Sequence, residues 1–501
     1  MSSLKKMHKG FIGVGTVTAI SRVLGYIRDG FIAYFFGTKW LADSFFVAFR
    51  IPNLLRQLLG EGSMPAAFIP TYCEVLSKEE KERAMRLVGN MFTAMFLLST
   101  VLVLLGVFFA PLVVKLIAPG FRAESRQFFT TVTLARIMFP VLLLVNISTI
   151  AMGVLNARKY FTIPATGPAL FNLTLIFYFL LSKNISDDIL RAKCLAVAVV
   201  GGFVANFLIM LPVLLKEKVT KLRYFYDGVF SNKDVKKVFL LLLPAVLGIS
   251  MMELNVFVDT ICASLIGEGT ISALYYAHRV NQLPLALFGV TISMVSLPFL
   301  SYSQAMNKKE QTSSDLFGAL SASYFLIIPS IVGLFLLSDE IIALLFQRGH
   351  FVKISTITTA GVLKFYALGL FAFSGIKIFA NYFYSKKDTK TPVIIAGFSF
   401  LINALLDVIL MFPLGARGLA LGTSIAAAFN FFWLGWLILR ETNIRPGKKF
   451  FLNLGIIFVS SAVMAVFLIY FKNTSVIFKI PLGAVVYFLF WKGLNTIVKK
   501  N

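Results

Sequence analysis

Arg22, Arg28 and Asp29 occupy the stretch "SRVLGYIRDG" (21–30), inside an apolar run that extends from Phe11 to Phe36. Asp43, Arg50, Arg56 and Glu61 follow within the next apolar run, and Arg279 lies in a third, in "YYAHRVNQLP". A charged side chain at the centre of a bilayer costs on the order of 3 kcal/mol, so it persists where it pairs, faces water or carries function. Asp29 offsets part of the charge on Arg28, but in this set the arginines outnumber the acids. The unmatched guanidinium charge calls for an anion. Arginine suits phosphate, because its planar fork makes paired, charge-assisted hydrogen bonds. A plainer reading stands beside this one: Arg50 and Arg56 as anchors near helix ends, and Arg22 as a structural pair or cap. Lys115 and Arg136 read as snorkelling or pair-forming residues and stay outside the candidate site.

A second group has different chemistry. Asp259 lies in "VDT"; Asn403 and Asp407, in "INALLD", stand four residues apart and so share one helical face. Thr423 lies in the following apolar run. Two carboxylates, an amide and a hydroxyl are hard oxygen ligands that suit a hard cation or a proton and not a transition metal. The alternative is a hydrogen-bond network between helices. Glu253 adds a further acid, protonated in the membrane or paired with an arginine. Catalytic constellations do not emerge. His8, His278 and His350 form neither an HExxH nor a triad spacing, no GxxxxGK[ST] phosphate loop occurs, and Cys73, Cys194 and Cys262 are scattered without CxxC spacing.

The elements that must position these residues are membrane helices. The 501 residues are 58% hydrophobic and 14% charged, and the mean hydropathy is +0.83; a soluble chain averages about 25% charged residues. Apolar runs of membrane-crossing length recur throughout, and breaks at Gly, Pro and charge clusters divide the chain into about fourteen spans. The net charge of +25 is the excess of Lys and Arg expected of cytoplasmic loops, and no basic, aromatic-studded soluble module points to nucleic acid. Basic loops such as "SKEEKERAMR", "NARKY", "SKKDTK" and "RETNIRPGKK" alternate with loops such as "IGEGTIS", which has no basic residue. Both termini then face the cytoplasm. "MSSLKKMHKG" resembles the positive flank of a signal peptide, but no small-residue cleavage site follows, so the first run reads as a retained span.

The halves repeat. "AFRIPNL" from Ala48 aligns with "AHRVNQL" from Ala277 at an offset of 229, setting Arg50 over Arg279; Ser21 falls over Ser250, Pro70 nearly over Pro298, and "ARKYFTIP" matches "SKKDTKTP". Such repeats build transporters. The reading is an all-α polytopic membrane protein: a six-helix lobe over 1–222, a second over 223–445, and two appended helices over 446–501.

These residues resemble the MurJ (MviN) lipid II flippase family, within the multidrug/oligosaccharidyl-lipid/polysaccharide exporter superfamily. The resemblance is carried by "SRVLGYIRD", "ADSFFVAFRIPNLLRQLLGEGSMPAAFIP", "YYAHRVNQLP", "LFQRGHF" and "YSKKDTKTP". It implies a V-shaped pair of pseudo-symmetric lobes around a cationic cavity in a bacterial inner membrane. Arg28, Asp29, Arg56 and Arg279 match positions the family sets around the substrate diphosphate. Arg22, Asp43 and Ser272 match others needed for activity, and Glu61 lies within the quoted motif. Asp259, Asn403, Asp407 and Thr423, with the carbonyl of Leu419, match a sodium site of some members. The last two helices match a groove for the prenyl tail. His278 stands where some relatives carry Asp, a departure that makes pH sensitivity conceivable. The implied activity is alternating-access transfer of lipid II across the membrane, with no enzyme chemistry and with sodium or a proton as coupling ion. The implied partners are lipid II and membrane lipids, with the chain working as a monomer. Alternatives are a flippase for another undecaprenyl-diphosphate-linked oligosaccharide, a MATE-like cation-coupled exporter, and a non-transporting membrane scaffold.

Overall fold

In lipid, every backbone N–H and C=O must be satisfied within its own segment, which drives apolar runs of this length into helices. The computed structural model is helical, with no strand among the described residues. It describes the backbone over 2–61, 63–78, 80–442 and 445–500, and the side chains of those residues except 2–12, 51, 59–61, 66, 243, 245, 247–253, 441–442 and 499–500. The side chains of Glu61, Ser250 and Glu253 therefore lie outside the described residues.

The chain divides into two compact units, Met1–Glu268 and Gly269–Asn501. The first opens with α1 (Ser2–Phe36) and α2 (Trp40–Leu55), followed by a π-helical turn (Arg56–Glu61) and α3 (Ser63–Ser77). It continues through α4 (Lys81–Phe108), α5 (Ala110–Ile117), α6 (Arg126–Met138), α7 (Val141–Ala157) and α8 (Thr162–Ala165). It closes with α9 (Gly167–Leu181), α10 (Asp188–Lys216) and α11 (Lys233–Ile266). The second unit starts with α12 (Thr270–Pro284), a second π-helical turn (Leu285–Val290) and α13 (Thr291–Ala305). Then come α14 (Lys309–Leu336), α15 (Ser338–Phe346), α16 (Lys353–Leu368), α17 (Leu370–Ser385), α18 (Lys390–Leu414), α19 (Ala416–Thr442), α20 (Lys448–Tyr470) and α21 (Val476–Lys500).

Eleven helical stretches among the described residues are long and apolar enough to cross a membrane. Their exteriors are apolar too. On α4, Leu87, Val88, Met91 and Met95 are buried in the first unit's core, whereas Leu104 and Phe108 are 65% and 75% exposed. An outer surface of this kind suits hydrocarbon and not water.

The repeat offset recurs in the backbone. The two π-helical turns, Arg56–Glu61 and Leu285–Val290, begin and end 229 residues apart. "NARKY" and "SKKDTK" close α7 and α17 in the same way. Lys159 and Lys387 take left-handed φ of 69° and 61°. The next residue's N–H returns to the helix: Tyr160 to the Leu155 carbonyl at 2.9 Å, and Asp388 to the Phe383 carbonyl at 3.0 Å. Both are Schellman closures. Compactness and repeat divide the chain at different places. The repeat boundary read near 222 precedes α11, yet α11 packs on α3 and the first π-helical turn, within the first unit.

Candidate functional site

In the first unit, Arg28 and Asp29 lie on α1, which packs along α9. Arg28 Nε and Nη2 both donate to Asp29 Oδ1, at 3.0 and 2.6 Å, and Nη1 donates to Asn172 Oδ1 at 3.0 Å. The Asn172 amide donates in turn to the Ser21 carbonyl at 2.9 Å, two turns back along α1. The guanidinium also stands 5.7 Å from the centroid of the Phe171 ring. The Arg28 side chain is 11% exposed and that of Asp29 is 0%. A deeply placed guanidinium is thus held in one pose by a carboxylate, an amide and an aromatic face, all supplied by two helices.

The other sequence-derived residues of this unit are spread over α1, α2 and α11. Arg22 is exposed on α1. Asp43 is buried in the first turn of α2. Half-buried Arg56 opens the first π-helical turn and donates through Nε to Asn53 Oδ1 at 3.0 Å; π-helical turns recur at functional sites, where the extra residue re-aims side chains. Arg50 points toward α11. Its Nη1 donates to the Val256 carbonyl at 3.2 Å and to the Thr260 hydroxyl. Asp259 is half-buried on α11 between those two contact residues.

The second unit carries the rest. Ser272 is buried and its hydroxyl donates to the Gly269 carbonyl at 3.1 Å, fixing the first turn of α12. Arg279, half-buried, follows seven residues later and so shares its face. His278 is exposed, with its Nε2 2.7 Å from the Gln282 amide and its ring 5.7 Å from that of Tyr366. On α18, the Asn403 amide donates to Asp407 Oδ2 at 3.1 Å, and both residues are at most 1% exposed. The facing helix, α19, comes close because it carries glycines. A Cβ at Gly422 would stand 2.8 Å from Asp407 Oδ1, and one at Gly418 only 2.2 Å from the Leu410 carbonyl oxygen. One turn of α19 joins two more predicted residues, as the Thr423 hydroxyl donates to the Leu419 carbonyl at 2.8 Å. Asn403, Asp407, Leu419 and Thr423 therefore belong to one tight helical hairpin of the second unit, while Asp259 belongs to the first. The hairpin's donors are carboxylate, amide, hydroxyl and carbonyl oxygens, a set that fits a hard cation or a proton. No group of three or more His, Cys, Asp and Glu residues placed to hold a metal occurs among the described residues.

Sequence reasoning did not find Asn172, the amide that poses Arg28. It also missed Lys479, a lysine that is 1% exposed near the start of α21. Its ammonium pairs with Glu340 on α15 at 2.6 Å and donates to the Lys472 carbonyl at 2.7 Å. Outside the membrane, Arg83 on α4 donates to both oxygens of Asp234 at the start of α11, at 2.7 and 2.8 Å. The Arg83 hydrogen bond holds the Asp234 carboxyl below its usual range.

Comparison with known proteins gives a consistent result. The model of the lipid II flippase MurJ family matches residues 32–485. A probable lipid II flippase MurJ of Buchnera aphidicola subsp. Acyrthosiphon pisum is 32% identical over 92% of this chain and 89% of its own. A solved structure of lipid II flippase MurJ in an inward closed conformation superposes with a TM-score of 0.82 at 28% identity, over 96% of this chain and 98% of that one. An inward-facing multidrug resistance MATE transporter of the MOP superfamily superposes with a TM-score of 0.69 at 14% identity, over 85% of this chain and 98% of that one, a likeness of fold alone. With its family match spanning most of its length, this chain belongs to the lipid II flippase MurJ family.

Proposed function

We propose that this chain is a membrane transporter that moves lipid II, the undecaprenyl-diphosphate-linked peptidoglycan precursor, from the cytoplasmic to the outer leaflet by alternating access. A diphosphate headgroup does not cross hydrocarbon unaided, because its charges would lose their hydration. Arg28, Arg56 and Arg279 hold the diphosphate, with Arg22 and Asp29 beside them; Asp43, Glu61 and Ser272 are further residues that transport needs. The observation that carries this reading is the Arg28 pose. A guanidinium 11% exposed and fixed from three sides is a preorganised phosphate ligand, and Asp29 holds its charge until phosphate oxygens compete for it.

The prenyl tail has a suitable partner in the second unit. A cavity of about 1010 Å³ between α14, α20 and α21 is walled by Phe317, Phe325 and Trp491 and edged by Lys309, Arg445 and Lys449. Asn403, Asp407, Thr423 and the Leu419 carbonyl, with Asp259, hold sodium or a proton, whose gradient biases the transport cycle together with the membrane potential. The chain works as a monomer with both termini in the cytoplasm. Arginine-rich spans disfavour export of organic cations, which an acidic or aromatic site would serve better.

Conditional depletion of the host's own flippase, with this chain as the sole replacement, tests the assignment. Arg28→Ala and Arg279→Ala are expected to insert and fold yet fail to restore externally accessible lipid II. Growth and surface lipid II at parental levels in both variants would defeat the diphosphate assignment. Restored growth without surface lipid II would point to a different polyprenyl-diphosphate cargo.

A further inference from the structure

The second unit carries another cation deep in an apolar span. Lys377 lies on α17, within the membrane-length stretch Lys353–Ser385. Eight residues, or about 12 Å of helix, separate it from Ser385, beyond which Lys386 and Lys387 mark the basic loop. It is half-buried and forms no ion pair with any described residue. Snorkelling serves lysines close to a helix end, and this one is two turns inside.

The backbone beneath Lys377 is fixed with unusual care for a membrane helix. Its carbonyl accepts from the Ser293 hydroxyl on α13 at 3.2 Å. One turn later, buried Asn381 donates to the Ser293 carbonyl at 2.7 Å and the Ser296 hydroxyl at 3.3 Å. One turn earlier, buried Ser374 meets the second π-helical turn at Gly289, where a Cβ would stand 3.0 Å from the Ser374 Cβ. A lysine needed only for solvation has no use for such a platform; one that must present its charge at a set depth does.

That depth is set relative to Arg279. Both belong to the second unit, and the run Thr270–Ala305 connects them: Arg279 near one end, and Ser293, which touches the Lys377 carbonyl, fourteen residues on. At 1.5 Å per residue the two levels differ by about 21 Å, within the roughly 30 Å of a bilayer's hydrocarbon core. We propose that Lys377 is a second anion-holding position for the diphosphate headgroup, on the cytoplasmic side of Arg279. The headgroup then crosses in two legs and does not have to travel the whole core without a cationic partner. Lysine suits a transient stop, since it binds phosphate as a point charge and without the bidentate grip of arginine. The inference rests on the diphosphate reading of Arg279 and on a cytoplasmic Lys386–Lys387 loop.

The full chain in proteoliposomes, with fluorescent lipid II as the probe, tests it through K377Q, K377R and R279A. Loss of one charge-assisted contact weakens binding by about tenfold. K377Q is therefore expected to raise the half-saturating lipid II concentration about tenfold, at a parental melting temperature, and K377R to restore it. Parental flipping by K377Q, with R279A inactive, overturns the Lys377 proposal alone. Parental flipping by R279A overturns the diphosphate reading on which it rests. Should K377Q not fold, a photo-crosslinker at position 377 decides: a lipid II adduct competed by unlabelled lipid II supports the proposal, and no adduct where position 279 gives one refutes it.

Discussion

At the scale of the residue, neutral groups fix the pose of buried charges as much as other charges do. Asn172 joins Arg28 to the Ser21 carbonyl and thereby holds the guanidinium against α1. Asn172→Ala is expected to slow lipid II flipping about tenfold, since it removes one charge-assisted hydrogen bond and the pose it enforces; Asn172→Asp is expected to be worse, adding a second acid that competes with phosphate for Arg28. Flux assays in proteoliposomes check both. Lys479 and Glu340 make a different prediction, on stability. The ammonium is 1% exposed and the carboxylate 37%, so removing the acid strands the more deeply buried charge. Glu340→Gln should cost about 3 kcal/mol, more than Lys479→Met, which leaves a carboxylate that water can reach; detergent-phase unfolding measures the difference. Arg28 and Asp29 were legible because charge breaks an apolar run. Asn172 was not: it is uncharged and 144 positions from its partner, and only packing brings it there.

At the scale of the element, close helix approach sets the geometry of the α18–α19 hairpin. Gly418 faces the Leu410 carbonyl with no room for a Cβ. Gly418→Ala should push the helices apart and cost about 2 kcal/mol, and it should weaken any sodium stabilisation seen as a rise in melting temperature. The start of α11 yields a pH prediction. The Asp234 carboxyl is held below its unperturbed value of 3.8, first by the Arg83 hydrogen bond. A carboxyl with a lowered folded-state pKa stabilises fully above its unfolded pKa and loses that contribution as pH falls through the lowered folded value. Melting temperature should accordingly fall below pH 4, and Asp234→Asn should flatten that fall. The helices themselves were legible from apolar length, and the repeat from a constant offset. The π-helical turns were not, because a single extra residue per turn leaves no mark on hydropathy. Nor was the grouping of α11 with the preceding helices, which depends on contacts such as that from Arg50 to Val256.

At the scale of the whole molecule, the sign of the cargo's charge meets the sign of the membrane potential. The two units carry repeat-equivalent π-helical turns, but the direction of transfer depends on charge. Its arginines belong to the helices, whereas the diphosphate makes the crossing. An inside-negative potential pushes an anion outward, by about 2.3 kcal/mol per charge per 100 mV if the charge traverses the full field. The arginines reduce that benefit only to the extent that they travel with the headgroup. Outward lipid II transfer should therefore quicken when valinomycin and a potassium gradient make the vesicle lumen equivalent to the cytoplasm negative. It should slow when the gradient is reversed, in sodium-free buffer as well as with sodium. A rate indifferent to both polarities would mean that the arginines carry their charge across with the diphosphate, so that the crossing complex is close to neutral and the gradient of the coupling ion alone drives the cycle.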